Sequence, residues 1–371
     1  MISFKKLISK NIVNSFGWRT NRKIIVFESD DWGSIRMPSI KVSKEAEKIG
    51  LKVNEHYFDK YDCIETNDDF IALYDILKGF KDINGRHPCF TACTCVANPD
   101  FEKIEADKRH NYHYVPFYDS YNQYINCNRS FDLFKEGINQ KIFYPQFHGR
   151  EHINVKRWLN AVNSRSIKEE FCFKNKALLG TLIENDDHHN YFSSFDYIGA
   201  EEETEISKII KDGLNLFQEI FGFKSVSFVS PTNKQGLKVN KIFADNQVLF
   251  CQTGGQYWRM PDGTLKKKDY FWGKKDSNGL TFWRRNCNFE PSRNNEDWVD
   301  KCLSEINIAF KWGKPAVIST HRVNFIGGIY EDNRTRSLKK LEVLLSAIAK
   351  KWPDVEYFNS AQLADIINTR I

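Results

Sequence analysis

Two polar strings, each placed directly after an apolar run, constrain the fold of this 371-residue chain most strongly. Residues 23–27 form a short apolar run that predicts a buried strand, and Asp30 and Asp31 follow it. Residues 142–147 predict a second strand, which His148 follows. Functional groups of α/β folds lie at the carboxyl ends of strands. Because strands and helices alternate along the chain, we expect an α/β fold with its site at such ends.

These two strings contain aspartate and histidine side chains, which are common ligands of divalent metal ions. His148 and His152 are four residues apart, so a helix that begins near Gly149 would place both imidazoles on one side. One carboxylate could complete the set, and the neighbouring carboxylate could act as a base. This inventory indicates a hydrolase. The alternative is that the histidines are ordinary surface or half-buried residues and that the aspartates cap a turn.

A late strand supplies a third candidate. Residues 315–321 predict a strand that ends in His321, and Arg322, Asn324 and a glycine pair follow it. A histidine after a strand is often structural, but this one has the same strand-end placement as the other two strings. We interpret His321 as a general acid.

The order and content of these motifs resemble carbohydrate esterase family 4, the NodB-like polysaccharide deacetylases. The aspartate doublet is similar to the family's first motif, the histidine pair to its histidine motif and the late histidine to its acid motif. The resemblance spans residues 22–368 and implies a distorted (β/α) barrel of about seven parallel strands with loop insertions. It implies Asp30 as catalytic base, His321 as catalytic acid, and Asp31, His148 and His152 as metal ligands.

Further motifs imply where a substrate binds. Residues 228–233 are similar to the family's arginine-x-proline motif, and residues 254–258 echo its tryptophan motif. The expected substrate-binding residues are Trp32, Pro231, Asn233, Trp258 and Arg284.

The chain departs from the family pattern at several positions. Trp32 stands where the family has glycine, and Val229 stands where it has the arginine that holds the basic aspartate. Arg284, Arg285 and Arg293 are candidates to replace that arginine. The aspartate that orients the acidic histidine in the family has no counterpart in the sequence.

The resemblance implies hydrolysis of an N-acyl group, expected to be N-acetyl, on an amino sugar, with Zn²⁺ as the expected ion. The N-terminus lacks the apolar core of a secretion signal, which favours a lipid-linked or nucleotide-linked glycan precursor as substrate. Two alternatives stay open. One is an inactive relative that binds glycan, and the other is a metal-independent glycoside hydrolase on a related seven-stranded barrel.

Length and composition indicate one large catalytic domain, residues 21–371, with an insertion at about 100–140. Residues 1–20 are basic, with apolar residues at helical spacing. We expect this segment either to contact an anionic membrane face peripherally or to pack across the bottom of the barrel. A net charge of +6 is too small for a nucleic-acid-binding protein.

The nine cysteines are odd in number and show no paired CxxC spacing, which predicts free thiols in a reducing cytoplasm, with possible membrane contact at its inner face. A rival metal motif of two aspartates and two histidines occupies residues 186–189. Because adjacent loop side chains diverge and no strand precedes them, we interpret this motif as a solvated linker.

Overall fold

The computed structural model describes residues 4–182, 190–253 and 255–369. The strands are β1 (Lys23–Trp32), β2 (Phe90–Cys95), β3 (Ala97–Pro99), β4 (Tyr114–Pro116), β5 (Phe143–Gly149), β6 (Ser227–Phe228), β7 (Lys234–Gly236), β8 (Phe250–Cys251), β9 (Gly255–Arg259), β10 (Leu265–Asp269), β11 (Thr281–Phe282), β12 (Cys287–Asn288), β13 (Ala316–His321) and β14 (Val355–Phe358). The helices are α1 (Phe4–Ser15), α2 (Ile40–Lys48), α3 (Tyr57–Tyr61), α4 (Asn67–Lys78), α5 (Phe101–Ala106), α6 (Phe117–Ser120), α7 (Ser130–Asn139), α8 (Val155–Asn163), α9 (Ile167–Lys174), α10 (Gly199–Phe221), α11 (Val239–Asp245), α12 (Trp298–Lys311), α13 (Glu331–Lys351) and α14 (Ser360–Asn368).

One parallel sheet of nine strands organises the molecule, in the order β11-β8-β6-β5-β2-β1-β13-β12 with β14 also paired to β1. β14 pairs with residues 23–26 of β1, and β2 pairs with the same edge of β1 from Phe27 onward. Within the described residues no pairing joins β11 to β12, so the curled sheet is an open half-barrel. The predicted α/β class and distorted-barrel form are confirmed, with nine strands in place of about seven.

Strand β1 lies inside the sheet and is buried on both faces. Successive side chains point to opposite faces. Ile25 and Phe27 pack in the large apolar cluster shared with α4, α12 and α13, whereas Ile24 and Val26 pack in a second cluster with β14 and α14. A strand buried on both faces must be apolar on both, which explains its unbroken apolar run.

Helix α1 packs against α12. Lys10 Nζ lies 3.0 Å from a carboxylate oxygen of Glu305. Ile12 and Phe16 nevertheless stay 59% and 56% exposed. Among the helices of the described ranges, none combines the length and the apolar character needed to cross a bilayer.

The predicted insertion is folded. It contains α5, α6 and α7, and strand β4, which pairs antiparallel with β3. The rival metal motif at residues 186–189 lies outside the described residues.

Candidate metal and catalytic site

A bulge at the end of β1 brings two neighbouring carboxylates to one site. Asp31 has a φ of 78°, and the register with β2 shifts within residues 29–32. In a regular strand, Asp30 and Asp31 would point to opposite faces of the sheet. The bulge leaves Asp30 in register with His321 of the neighbouring strand β13, while Asp31 turns toward the histidine pair.

Asp31, His148 and His152 form a buried group that we call the ligand cluster. Asp31 Oδ1 lies 2.9 Å from His152 Nε2 and 3.3 Å from His148 Nε2, and the three ligand atoms all lie within 4.8 Å of one another. His148 Nδ1 lies 2.9 Å from the carbonyl oxygen of Val229. Because a carbonyl only accepts, Nδ1 carries the proton and Nε2 offers its lone pair. Burial lowers the pKa of His152 to about 4, which favours the neutral, metal-binding form. These donors fit one divalent ion.

The histidines meet without the helix that the sequence predicts. Helix α8 begins only at Val155, and the intervening residues 150–153 form bends. Gly149 has a φ of 140°, and a Cβ there would lie 2.7 Å from the carbonyl oxygen of Glu151. The expectation of a helix from Gly149 is therefore wrong, because the chain must first make a tight turn. That turn places the two imidazole centroids 5.1 Å apart.

Arg285, one of the three candidate arginines, holds Asp30. Its Nη1 and Nη2 donate to the two carboxylate oxygens of Asp30 at 2.6 and 2.8 Å, and its Nε donates to Glu28 at 2.7 Å. Burial opposes ionisation of Asp30, but the charge and hydrogen bonds of Arg285, together with other nearby positive groups, outweigh it and lower the pKa of Asp30 to about 2. Asp30 is therefore an oriented carboxylate at neutral pH, the form that a proton acceptor requires. Arg293 is exposed.

His321 is oriented by Glu290. Its Nδ1 lies 2.6 Å from Glu290 Oε1, and Asn324 Nδ2 donates to the other oxygen of Glu290 at 2.7 Å. Nε2 of His321 lies 3.9 Å from Asp30 Oδ2, and the side chain is 28% exposed. Burial opposes protonation, but the charge and hydrogen bond of Glu290, together with the charges of Asp31 and Asp30, outweigh it and raise the pKa of His321 to about 10. A protonated Nε2 beside Asp30 can act as an acid.

Glu290 is not among the residues predicted from the sequence, although it follows a strand, as the predicted site residues do. It follows β12, which pairs with β13 in parallel, so Glu290 and His321 come from the ends of neighbouring strands. Strand β12 has only two residues, too few to show any periodicity.

The structure contradicts the predicted substrate contact of Trp32. Its side chain is fully buried between Phe70 and Phe143, and its Nε1 donates to Ser29 Oγ at 2.9 Å. The bulge returns Trp32 to the helix-facing side of the sheet that Ile25 and Phe27 also line. A side chain with no exposed surface cannot contact a sugar.

The other predicted substrate-binding residues lie in two places. Pro231 and Asn233 form a 3₁₀ turn after β6, with Pro231 buried and Asn233 exposed. Trp258 is half-buried on β9, and Arg284 contacts Asp269 at 3.2 Å at the end of β10. Their binding of a substrate stays a prediction.

No family model and no curated protein matches the chain. A protein from Mycobacterium smegmatis assigned as a polysaccharide deacetylase is similar to it over 96% of this chain and 94% of its own, with 12% identity and a TM-score of 0.43. A protein from Pseudomonas aeruginosa PAO1 with the same assignment covers 93% and 91%, with 10% identity and a TM-score of 0.45. The 4-alpha-glucanotransferase from Thermococcus litoralis covers 93% of this chain and 40% of its own, with 9% identity and a TM-score of 0.43.

Identities and TM-scores this low do not carry an activity from these proteins to this chain. The resemblance predicted from the motifs is confirmed as a structural similarity: solved polysaccharide deacetylases are among the structures that this chain is similar to.

Proposed function

We propose that this protein is a metal-dependent hydrolase that removes an N-acyl group, in the first instance N-acetyl, from an amino sugar. The observation that carries this proposal is the position of the ligand cluster beside an oriented carboxylate, Asp30, and an oriented imidazole, His321. Hydrolysis of an amide needs a base for water and an acid for the amine, and this site offers both next to candidate metal ligands.

Asp31, His148 and His152 would hold a divalent ion, which would supply Lewis-acid chemistry by polarising an acyl carbonyl and favouring the ionisation of water. Asp30, held by Arg285, accepts a proton from the attacking water at its carboxylate. The water oxygen bonds to the acyl carbon, and His321 Nε2 donates a proton to the amine nitrogen as the carbon–nitrogen bond breaks. Protonation is needed because an amide anion is too basic to leave. The products are a free amino sugar and a carboxylate.

The two alternatives, an inactive relative and a glycoside hydrolase, predict side-chain contacts that differ from those in the site. Val229 is the departure that favours an inactive relative, but Arg285, from another segment, holds the carboxylate of Asp30. A glycoside hydrolase needs two carboxylates free to face a sugar. The site instead sets one carboxylate, Asp30, beside one imidazole, His321, next to the ligand cluster, which supports the amide hydrolase.

We propose Zn²⁺ as the ion, because two imidazoles and one carboxylate form a common zinc set. We also propose a lipid-linked or nucleotide-linked sugar as the substrate and the cytoplasm as the compartment. All nine cysteines are buried and free, in agreement with a reducing compartment. The exposed side chains of Ile12 and Phe16 support peripheral contact of the N-terminal segment with a membrane.

The deciding experiment measures metal content and acyl release for the wild type, Asp30→Asn and His152→Ala on a panel of N-acetyl and N-formyl amino sugars. We expect Asp30→Asn to keep the metal and lose turnover by about 100- to 10,000-fold, because only the base is removed. We expect His152→Ala to lose both. His110→Ala, at an exposed histidine, is the matched control.

Full turnover by Asp30→Asn would contradict the role of Asp30 as base. Full metal content in His152→Ala would contradict the role of His152 as metal ligand. Release of reducing ends in the presence of a chelator would favour the glycoside hydrolase. Sugar binding without acyl release at any added metal would favour the inactive relative.

A further inference from the structure

Glu28 is a fully buried carboxylate on β1, close to the catalytic site. It lies two residues before Asp30, and because the side chains of a strand alternate, both carboxylates point to the same face of the sheet. Glu28 has no exposed surface, whereas Asp30 is 6% exposed. A side chain without exposed surface cannot touch a substrate. Any part that Glu28 takes in the reaction must therefore act through a neighbouring side chain.

The guanidinium of Arg285 joins these two carboxylates. Its Nε donates to Glu28 Oε2 at 2.7 Å, while Nη1 and Nη2 donate to Asp30 at 2.6 and 2.8 Å. Nη2 also donates to Gln252 Oε1 at 2.7 Å. Each nitrogen of the guanidinium thus has an acceptor, and the acceptor of Nε is Glu28. Because a guanidinium is planar, acceptors at Nε and at both Nη atoms fix its plane as well as its position.

Two further donors hold Glu28 itself. Trp283 Nε1 donates to Glu28 Oε1 at 2.9 Å, and Ser360 Oγ donates to the same oxygen at 2.7 Å. Trp283 follows β11 and Ser360 begins α14, so distant segments meet at this carboxylate. Burial raises the pKa of Glu28, and the charge of Arg285 opposes this rise. Because desolvation offsets much of the attraction in a buried ion pair, such a pair adds little to stability, which favours a role in orientation.

From these contacts we propose that Glu28 is a positioning residue, which holds Arg285 in the orientation that lets both of its Nη atoms grip Asp30. Asp30 then presents its carboxylate to the attacking water in a fixed direction. This inference rests on the proposed function for the reaction itself. Without Glu28, Nε loses its acceptor, the guanidinium can turn and Asp30 is no longer held in place. Misplacement of a catalytic group lowers turnover more than it lowers binding.

Variants of Glu28 test this through the separate effects on kcat and KM. Glu28→Met removes both oxygens at a similar side-chain volume, and Glu28→Gln keeps one acceptor. We expect Glu28→Met to lower kcat by about 10- to 100-fold with unchanged KM and metal content, and Glu28→Gln to lower kcat less. An unchanged kcat in Glu28→Met overturns the proposal.

The matched control is Glu356→Met. Glu356 accepts a hydrogen bond from Nε of Arg22 at 2.6 Å, and Arg22 precedes the opposite end of β1. We expect this variant to leave kcat unchanged. A purely structural role of Glu28 would lower the free energy of unfolding in both variants and would leave the kcat of the folded protein unchanged in both.

A second measurement needs no turnover. In isotope-labelled protein, a guanidinium that is held gives separate NMR signals for its Nη protons, whereas free rotation averages them. Arg285→Lys identifies the signals of Arg285 by their loss. We expect separate signals in the wild type and in Glu356→Met, and averaged signals in Glu28→Met. Averaged signals in the wild type, or separate signals in Glu28→Met, overturn the proposal.

Should thermal unfolding show that Glu28→Met is not folded, Glu28→Gln decides, since a kcat and NMR signals unchanged from the wild type there overturn the proposal. Separate signals that depend on Glu28, without acyl release from any sugar, would keep the contact from Glu28 through Arg285 to Asp30 and overturn only the proposed function.

Discussion

Two hydrogen-bonded pairs set the charges of the proposed catalytic groups. Arg285 holds Asp30 as a carboxylate, and Glu290 holds His321 as an imidazolium. The strand-end pattern of the sequence locates Asp30 and His321, because a polar residue after an apolar run is a local signal. It does not identify their partners, Arg285 and Glu290, because these residues follow strands of only two residues, which show no pattern in the sequence.

The pair formed by Glu290 and His321 predicts a pH effect. Glu290 raises the pKa of His321 to about 10, so the acid form persists at neutral pH and is lost as the pH rises through that value. In Glu290→Gln the negative charge is gone, and the pKa of His321 falls. We expect the basic limb of the pH profile of kcat/KM to move to lower pH. The profile is measured with an N-acyl amino sugar from the panel that the wild type hydrolyses. Glu47→Gln, at an exposed glutamate of α2, should leave the limb in place. An unmoved limb in Glu290→Gln would contradict the acid role of His321.

At the scale of single elements, the bulge of β1 decides whether the site exists. A strand assignment alone would send Asp30 and Asp31 to opposite faces, and the sequence contains no signal for a positive φ at Asp31. The same bulge buries Trp32, which is why the substrate contact predicted for that residue is wrong. The turn after Gly149 similarly replaces a predicted helix.

Gly33 closes the bulge and provides a stability test. Its φ is 78°, and a Cβ there would lie 2.5 Å from the carbonyl oxygen of Cys95. Gly85 has a similar φ of 75° and nothing within 4 Å of the position of a Cβ. In urea unfolding we expect Gly85→Ala to lower the free energy of unfolding by about 1 kcal/mol, from backbone strain alone. Gly33→Ala should lower it by about 1–3 kcal/mol more, because backbone must move. Equal losses would show that the contact with Cys95 is relaxed in solution.

At the scale of the whole molecule, the packing leaves no thiol accessible. All nine cysteines are buried and unpaired, and burial raises the pKa of thiols such as Cys93 and Cys95 well above the usual value. Thiol reagents need an accessible thiolate. We therefore expect a chromogenic disulfide reagent at pH 8 to label none of the nine in the folded protein and all nine in denaturant. Rapid labelling of the native protein would contradict the packing around the thiol concerned.

The sequence by itself determined the α/β class and the strand-end positions of Asp30, Asp31, His148 and His321, because both depend on short-range patterns of apolar and polar residues. Only the tertiary structure decided that β13 lies beside β1, which puts His321 next to Asp30, and that Arg285 and Glu290 complete the two pairs. It also decided that the buried side chain of Arg36 lies in ion-pair range of Asp62 and Asp31. These features are contacts between distant segments. They depend on strand order and on the geometry of the bulge, and no local sequence pattern encodes either.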